Sequence, residues 1–447
     1  MRFESMKNAL VAAAKAQGLE QYEIYYSMGE NVSAEALGDE ISSFASSASG
    51  GICFRCIVNG KMGYASGELM TEDAMEELVK NAISNAACID SEDEVFIFEG
   101  SPKYAPLPQK EIRLAEAKEV RDAALDLQRK TYAESDKVGD GTQSAAISIT
   151  EEIRLYNSNG LELSNRVGVS VAYANPVVRV GDEAQENFEY CTGLSEADRR
   201  ELPQKAVRAA LDKMGACAVD SGKYDVVFSG RQFRQFLSAF SSVFSAKNAQ
   251  LGLSLLAGKE GERIASDCVT LVDDPMPADG YMQTPFDGEG VATARRNVIE
   301  GGVLKTLLYD LTTAKKAGVE STGNGQKGAY SSPVSIAPYH FAIAEGEDTL
   351  DGLFAAVQNG LYITECKGFH AGANAVTGDF SIESAGFMIR DGKRAEPVKS
   401  FTVAGNFFDL LKQVDRIGNE IVWGIPSSFT VYGSPDLLVR GLSVAGK

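Results

Sequence analysis

Histidine is almost absent from this chain. Its 447 residues include two histidines, His340 and His370, and a single tryptophan. A catalytic zinc takes three protein ligands and keeps an open position for water, so few ligand sets are available here. A Ser-His-Asp triad would need one of the same two imidazoles. No G-x-S-x-G segment of the hydrolase type occurs either.

Long apolar runs are also missing. No stretch approaches the ~20 apolar residues of a transmembrane helix. The N-terminus does not resemble a signal peptide, because Glu4 interrupts it and the apolar run before Lys15 is short. Seven cysteines, an odd number without regular spacing, are typical of a reducing compartment. The sequence therefore predicts a soluble cytoplasmic protein without membrane association.

Basic clusters are a third absence. The chain has 43 Lys and Arg against 62 Asp and Glu, which gives a net charge of -19. Binding to nucleic-acid phosphates depends on clustered Lys and Arg, and no such run is found. The charge balance predicts no direct partnership with nucleic acid.

Composition and length predict two folded domains. Hydrophobic residues make up 44% of a chain that is longer than one core usually supports. Amphipathic segments of helical length give way near residue 222 to short, Gly-punctuated strands. We therefore predict an α+β domain over 1–221, with helices packed on an antiparallel sheet, and a β-rich, barrel-like domain over 222–447.

In the first half, the hydrophobic patterns predict helices and strands joined by tight turns. Asn-Gly pairs at 59–60 and 159–160 predict hairpins, and Thr71 and Ser195 are predicted to cap helices. Loops are expected at 90–94 and 101–108. The predicted helices cover about 4–17, 111–134 and 195–214, and a further helix that includes Ala74, Leu78 and Ala82 follows Thr71. The predicted strands cover 23–27, 33–37, 51–58, 62–66, 144–150, 152–156, 161–165 and 167–174.

In the second half, a strand is predicted at 225–229 and a helix from Arg231 to about Lys247. Four phenylalanines recur on one face of that helix and are expected to be buried: Phe233, Phe236, Phe240 and Phe244. Further helices are predicted at 350–357 and 407–414, and a hairpin around Asp391-Gly392.

Several short motifs are spread along the chain in a fixed order. They are Leu271–Asp274, Thr284–Gly290, Thr322–Gly325, Asn374–Ser381, Val403–Asn406 and Val414–Asn419. In this order and spacing they resemble the TldD/PmbA family, described as modulators of DNA gyrase and as zinc peptidases. The resemblance extends over nearly the whole chain.

The catalytic branch of that family carries a helical His-Glu-x-x-x-His and a late Cys as zinc ligands. The corresponding helix, 231–247, contains no His and no Glu, and Ser238, Ser241, Ser242 and Ser245 occupy its polar positions. No Cys follows Cys366, and the corresponding tail reads Trp423–Ser428. The chain thus resembles the PmbA (TldE) branch, which implies no catalytic residue and no metal ligand here.

The resemblance implies a heterodimer with a zinc-bearing TldD-like sibling, the two chains enclosing a cleft for unfolded peptides. It also implies that certain residues line the cleft: Asn324, Gly325, Thr377, Gly378, Asp379 and Ser381. The alternative for 377–381 is a turn in which Asp379 accepts from nearby backbone N–H groups. A different class of function is a stand-alone homodimer that binds a peptide or protein without cleaving it.

Three local patterns have competing interpretations. Cys53 and Cys56 are three apart on a strand, where side chains face opposite sides, so a structural role is expected. Residues 323–328 match G-x-G-x-x-G, but Pro333 follows where a dinucleotide-binding helix would begin, so a Gly-rich turn is expected. A site made by His340, Cys366 and His370 would have an acceptable ligand set, yet nothing in the sequence brings the three together.

Overall fold

A computed structural model describes residues 3–69, 71–90, 94–107 and 111–447. The predicted loops at 90–94 and 101–108 lie partly outside these residues. The described residues of the first half form five helices and eight strands: α1 Phe3–Ala16, β1 Tyr22–Leu37, β2 Glu40–Val58, β3 Lys61–Gly67, α2 Glu72–Ala86, α3 Ala117–Ala133, β4 Gln143–Asn157, β5 Glu162–Asn175, β6 Val177–Val180, β7 Glu183–Glu186, β8 Glu189–Thr192, α4 Glu196–Arg199 and α5 Leu202–Asp212.

Six of these strands form one antiparallel sheet in the order β3-β2-β1-β4-β5-β8. Helices cover one face, where α1 and α2 pack around Ile24 and Phe54, and α3 and α5 pack around Val32 and Ala146. The other face contributes Tyr25, together with Cys53 and Ile153, to a separate cluster with residues of the second half. The two halves are thus joined through the face of the sheet that the helices leave open.

Local turn and cap signals are confirmed. Asn59 and Gly60 both have positive φ, 51° and 74°, as a type I′ hairpin requires. The Thr71 side chain accepts from the N–H of Ala74 at the start of α2. Ser195 and Asp198 form a reciprocal capping box. Cys53 and Cys56 belong to different hydrophobic clusters on opposite faces of β2, as expected.

The second half contains many short strands. Its elements are β9 Gly222–Phe228, α6 Gly230–Phe240, a 3-10 turn Ser241–Phe244, α7 Ala246–Gln250, β10 Leu271–Asp274, β11 Arg296–Glu300, β12 Val303–Leu304, α8 Leu311–Ala317, β13 Gly325–Gln326, β14 Ser335–Ile336, β15 His340–Ile343, α9 Leu350–Val357, β16 Gly360–Lys367, α10 Phe369–Gly372, β17 Asp379–Arg390, β18 Lys393–Asn406, α11 Phe407–Lys412, β19 Val414–Ile417, β20 Val422–Trp423, β21 Val431–Ser434 and β22 Leu437–Ala445.

One sheet of this half closes on itself. Its strand order is β18-β17-β16-β9-β22-β19, and an additional pairing of β18 with β22 completes a barrel-like ring. A second sheet, β12-β11-β10-β15-β21-β20, packs beside it around a shared core. The predicted fold class, α+β with a barrel-like second part, is confirmed. The boundary between 221 and 222 stays a prediction.

The aromatic core of this half lies under α6. Phe233, Phe236, Phe240 and Phe244 are at most 1% exposed, as predicted. Phe240 stacks on Phe407 with ring centroids 4.6 Å apart. Because fully buried rings dominate core energetics, this cluster fixes α6 against the barrel.

Several predicted boundaries are wrong. The strands predicted in pieces are continuous, because β1 pairs with β4 along almost its whole length. Helix α3 begins at Ala117 rather than 111, since the N–H of Ala115 donates to Ser148 Oγ on the sheet.

The two other long helices are each interrupted. The helix predicted over 231–247 ends at Phe240, a 3-10 turn follows, and Ser245 then caps α7. Pro203 lies in the first turn of a new helix inside 195–214. Helix α8 and the strand segment 40–50 were not predicted. Among the described residues, no helix combines the length and apolar content needed to cross a membrane.

Candidate functional site

Three of the sequence motifs meet in a buried polar cluster. We call Asp273, Asp287, Glu289 and Asn324 the buried acidic network; each is at most 5% exposed. Asp273 Oδ2 accepts from Asn324 Nδ2 at 2.7 Å, and its Oδ1 accepts from the N–H of Tyr339 at 2.7 Å. Segments far apart in the chain are therefore held together by side-chain oxygens that water does not reach.

Asp287 accepts three hydrogen bonds from backbone N–H groups. Its Oδ1 accepts from the N–H groups of Glu289 and Val291, and its Oδ2 from the N–H of Gly325, each at 2.9 Å. Three N–H donors favour the ionised carboxylate and oppose the cost of burial. Burial nevertheless raises the pKa of Asp287 to about 7.

Glu289 lies beside Asp287 and accepts fewer hydrogen bonds. Its Oε2 accepts from the N–H of Leu311 at 2.9 Å, at the start of α8. Burial, followed by the charge of Asp287, raises the pKa of Glu289 to about 8. Two neighbouring buried carboxylates resist simultaneous ionisation, so ionisation of either one raises the pKa of the other.

Glycine is required where the two carboxylates meet. A Cβ on Gly325 would lie 2.7 Å from Glu289 Oε2 and 3.1 Å from Asp287 Oδ2. Gly323 adopts φ of +71°, and a Cβ there would meet Ala292 O at 2.9 Å. The G-x-G match is thus a turn that needs close approach and positive φ, as expected, and turns rather than a helix follow it through Pro333.

Two buried cations lie in this region, Arg55 from the first sheet and Lys327 from the turn after β13. Arg55 on β2 donates through Nη2 to Glu23 Oε2 at 3.0 Å, and both side chains are buried. Lys327 is 5% exposed, and its ammonium lies 4.6 Å from the centre of the Tyr25 ring. Burial lowers the pKa of Lys327. These cations offset the acidic network across the junction of the two halves.

A cleft of about 820 Å³ opens above Glu289 and Arg55. Its walls come from the β2–β3 hairpin, the segment 94–96, α7, α8 and residues 333–334. Glu289 and Arg55 provide a polar floor, whereas Met62, Phe96 and Leu251 provide apolar surface. A concave space that combines apolar surface with polar groups is the usual form of a ligand site.

The predicted cleft residues fall into two groups. Asn324 and Gly325 are buried, with Gly325 directly behind Glu289. Thr377, Asp379 and Ser381 are exposed, near Asn406 at the start of α11, and Gly378 is buried against Phe408. No hydrogen bond joins the two groups among the described residues, and their assignment as cleft-lining residues stays a prediction.

We call residues 374–379 with Asn406 the Asn406 loop. Asn406 Nδ2 donates to Thr377 O at 2.8 Å and to Asp379 Oδ1 at 3.0 Å, and Asn406 Oδ1 caps α11 through the N–H of Phe408. The hydrogen bonds from Asn406 and Thr377 lower the pKa of Asp379. Within the turn, the N–H groups of Val376 and Thr377 donate to Asn374 Oδ1 rather than to Asp379.

The helix and tail that would hold zinc in the catalytic branch do meet here. Arg234 on α6 donates through Nη1 to the Tyr190 hydroxyl at 2.5 Å and to the carbonyl oxygen of Trp423. Tyr432 donates to Ser241 Oγ at 2.9 Å. A guanidinium and hydroxyl groups are not zinc ligands, so the residues present do not fit the metal.

The two histidines are in different surroundings. His340 is buried between Tyr281 and Trp423, and burial lowers its pKa to about 4. His370 is exposed on α10, and Cys366 is buried against Ser384. In the parts of the chain that the structure describes, no three His, Cys, Asp or Glu side chains are grouped to hold a metal ion.

The sequence analysis did not identify Arg55 or Lys327 as site residues. A single cationic residue in an apolar strand or a turn does not indicate which residue it will contact. Glu289 lies within the motif Thr284–Gly290. Its hydrogen-bond partner, the N–H of Leu311, is distant in sequence, and no sequence pattern connects the two residues.

Comparison with known proteins gives matches in both halves of the chain. Residues 221–446 match the PmbA/TldA metallopeptidase C-terminal domain, and residues 22–86 match the first domain of the same proteins. A metalloprotease of Methanothermobacter thermautotrophicus is 30% identical over 325 residues, covering 69% of this chain and 71% of that protein.

Solved structures agree with these matches. A crystal structure from Thermotoga maritima, whose name links it to DNA gyrase, has a TM-score of 0.89 and 28% identity over 99% of this chain and 100% of that one. TldE from Thermococcus kodakarensis also has a TM-score of 0.89, covering 99% and 100% of the two chains. At 23% identity the TldE likeness supports the fold alone.

Proposed function

Because this chain belongs to the PmbA/TldD metallopeptidase family, we propose that it serves as the subunit of a peptidase complex that does not carry the zinc. In this proposal a related, zinc-bearing chain supplies the metal. The present chain shapes the cleft and takes part in holding unfolded peptides.

The observation that carries the proposal is the wall formed by α6 and the Trp423 tail. Arg234 is bonded to Trp423 O and to Tyr190, which puts a fixed positive charge where the resemblance expects a cation-binding site. Arg234 is half-buried, so its repulsion of a second cation is only partly screened by water. The other polar side chains of α6 are Arg231, Gln232, Gln235 and Ser238. None of these is a usual zinc ligand, which supports a role other than metal binding.

The cleft supports the peptide part of the proposal. Its volume of about 820 Å³ accommodates several residues of an extended chain. The floor offers both a donor, Arg55, and an acceptor, Glu289, as a peptide main chain requires. The apolar surface around Met62 and Leu251 suits unfolded segments, which expose apolar side chains.

Reconstitution tests the division of labour. The chain is purified alone, then mixed with a family member that carries His-Glu-x-x-x-His, and both samples are assayed for zinc and for hydrolysis of an unfolded peptide. We expect zinc only with the relative and hydrolysis only, or far faster, in the mixture. Stoichiometric zinc and peptide hydrolysis in the chain alone would contradict the proposal.

A bulky substitution tests the cleft. Leu251 is 62% exposed and lines the cleft, whereas Leu253 is 46% exposed and lies outside it. We expect Leu251→Trp to weaken binding of an unfolded fluorescent peptide by roughly tenfold or more, because a filled cleft loses apolar contact area. Leu253→Trp is the matched control and should bind as the unaltered chain does. Equal binding by both variants would show that peptides are held elsewhere.

A further inference from the structure

A second cleft, of about 600 Å³, lies elsewhere between the two halves. We call it the α5 cleft. Its walls come mainly from α5 and β8 of the first half, and from the β9–α6 junction, β16, β17 and β18 of the second half. No described residue lines both this cleft and the one above Glu289, so the α5 cleft is a separate candidate site.

Most charged side chains of the α5 cleft are already paired. Five cations and three carboxylates line it. Four of the cations each form an ion pair at no more than 3.2 Å: Lys205–Glu201, Lys213–Glu365, Arg231–Glu189 and Arg394–Asp212. One cation, Arg208, and one carboxylate, Asp436, are left without an ion-pair partner.

Arg208 is available to a ligand. It lies on the exposed face of α5 and has no hydrogen bond or ion pair with any residue that the structure describes. A guanidinium presents a planar fork of N–H donors that matches the two oxygens of a carboxylate. An unpaired arginine in a cleft therefore favours a ligand with a carboxylate.

Asp436 offers the opposite chemistry in the same cleft. Its Oδ1 accepts from the N–H of Gly230 at 2.7 Å, at the start of α6. Its Oδ2 has no hydrogen-bond partner among the described residues. An N–H group of a ligand would provide that partner, since a carboxylate accepts through both oxygens.

Two hydroxyl groups of the α5 cleft also lack partners. Ser229 precedes α6, where a serine usually accepts from an N–H of the first turn, but its side chain forms no such bond. It is 8% exposed, and its Oγ has no hydrogen-bond partner. The Tyr362 hydroxyl has none among the described residues either. Because buried polar groups are normally hydrogen-bonded, these groups indicate a ligand.

Aromatic rings provide the apolar surface of the α5 cleft. Phe387 is 6% exposed, and its ring centroid lies 6.5 Å from that of the half-buried Tyr362. The Arg394 guanidinium lies 4.7 Å from the centre of the Phe387 ring, which holds that ring in place. An apolar or aromatic side chain of a ligand can pack against these two rings.

We propose that the α5 cleft binds a residue that carries a carboxylate, an N–H donor and an apolar or aromatic side chain. The C-terminal residue of a peptide and a free amino acid share this chemistry. The carboxylate pairs with Arg208, the N–H donates to Asp436, and the side chain packs against Tyr362 and Phe387. This inference does not rest on the proposed function, because it concerns different residues.

A phosphate group is the weaker alternative. It would bring roughly two negative charges to a cleft with one unpaired cation. It would also lie near Glu189, Asp212 and Asp436, and like charges in a partly buried site oppose each other. A ligand that has both an anionic group and an N–H donor matches both unpaired charges.

Isothermal titration calorimetry of the full chain tests the proposal. The probes are N-acetylated Ala-Ala-Phe with a free carboxylate, the same peptide with a terminal amide, free phenylalanine and inorganic phosphate. We expect the acid to bind roughly tenfold more tightly than the amide, because the amide forms no ion pair with Arg208. Tighter binding of the acid than of phenylalanine assigns the cleft to peptide ends, and the reverse assigns it to free amino acids.

Three outcomes would overturn the proposal. They are equal binding of the acid and the amide, no binding of the acid or of phenylalanine at millimolar concentration, and binding of phosphate alone. None of them would bear on the cleft above Glu289, because no described residue belongs to both clefts.

Arg208→Gln locates the carboxylate. Arg208 forms no bond in the free chain, so the variant should fold normally. It should bind the acid about as weakly as the unaltered chain binds the amide, and its affinity for the amide should not change. Arg200→Gln removes the same charge from an exposed position outside the cleft and should bind as the unaltered chain does. An Arg208→Gln variant that weakens both peptides equally, or neither, would contradict the assignment.

Discussion

The buried acidic network and the Asn406 loop are built from similar residues, yet they perform opposite structural tasks. Both combine Asp, Asn and Gly from the motifs that carry the family resemblance. In the first, Asp287 satisfies three backbone N–H groups from two segments. In the second, Asn406 and Asp379 satisfy each other and their own turn at the surface. The comparison shows that the same residue types contribute more to stability where they are buried than where they are exposed.

The largest expected effect comes from Asp287. Asp287→Ala leaves three buried N–H groups without acceptors, and each orphaned group costs about 1–3 kcal/mol. We expect a loss of roughly 3–5 kcal/mol in the free energy of unfolding by urea, followed by circular dichroism. Asp287→Asn keeps one acceptor oxygen and should lose less. A loss below about 1 kcal/mol would show that the buried acidic network contributes no more to stability than the Asn406 loop does.

The ring beneath the Asn406 loop is the second target. Phe240 is fully buried and stacks on Phe407, the residue that follows Asn406. Phe240→Ala should cost ~3–5 kcal/mol, the usual range for a buried ring. If the free energy of unfolding in denaturant changes by less than about 1 kcal/mol, the stacking of Phe240 on Phe407 does not support the Asn406 loop.

Glu289 sharpens the comparison through pH. A carboxyl whose pKa is raised to about 8 in the folded chain, against an ordinary value of 4.5, stabilises the fold at low pH. That stability is lost as the pH rises through about 8, at ~1.4 kcal/mol per unit of pKa shift. We expect Glu289→Gln to flatten the decline of unfolding free energy between pH 5 and pH 9. Parallel profiles for the two proteins would show that Glu289 is ionised at neutral pH.

Asn406 carries the smallest expected effect. Asn406→Ala removes the cap of α11 and should cost about 1 kcal/mol. Asn406→Ser keeps a capping oxygen and serves as the control, with a change of a few tenths of a kcal/mol. Should the alanine variant lose as much stability as Asp287→Ala, the Asn406 loop would have to be regarded as part of the core.

Local signals predicted much of the fold, whereas the site depends on contacts that are distant in sequence. Asn59-Gly60, Thr71 and Ser195 act through neighbouring residues, so their turns and caps were predictable. The Ser- and Ala-rich segment 40–50 shows no alternation of apolar residues, and it is a strand because β1 pairs with it.

The candidate site was predictable only in part. Asn324 and Gly325 were singled out with the motifs, but Arg55 requires knowledge that Glu23 lies opposite it on β1. The cleft itself is formed by segments from both halves, and no periodicity reports such a meeting. The residue types showed which motifs are rich in polar side chains. Only the packing of the fold showed which of those side chains are buried.

The closed sheet also has a consequence for the time course of folding. Strand β9 pairs Gly222 with Val444 on β22, and β22 also pairs with β18. The first sheet joins neighbouring hairpins and can form while later residues are still being synthesised. The ring must wait for residues 437–445 to emerge from the ribosome, since long-range pairing is slow to form. During that interval β9 and β18 present unpaired edges, and this is when a nascent chain is most in need of a chaperone.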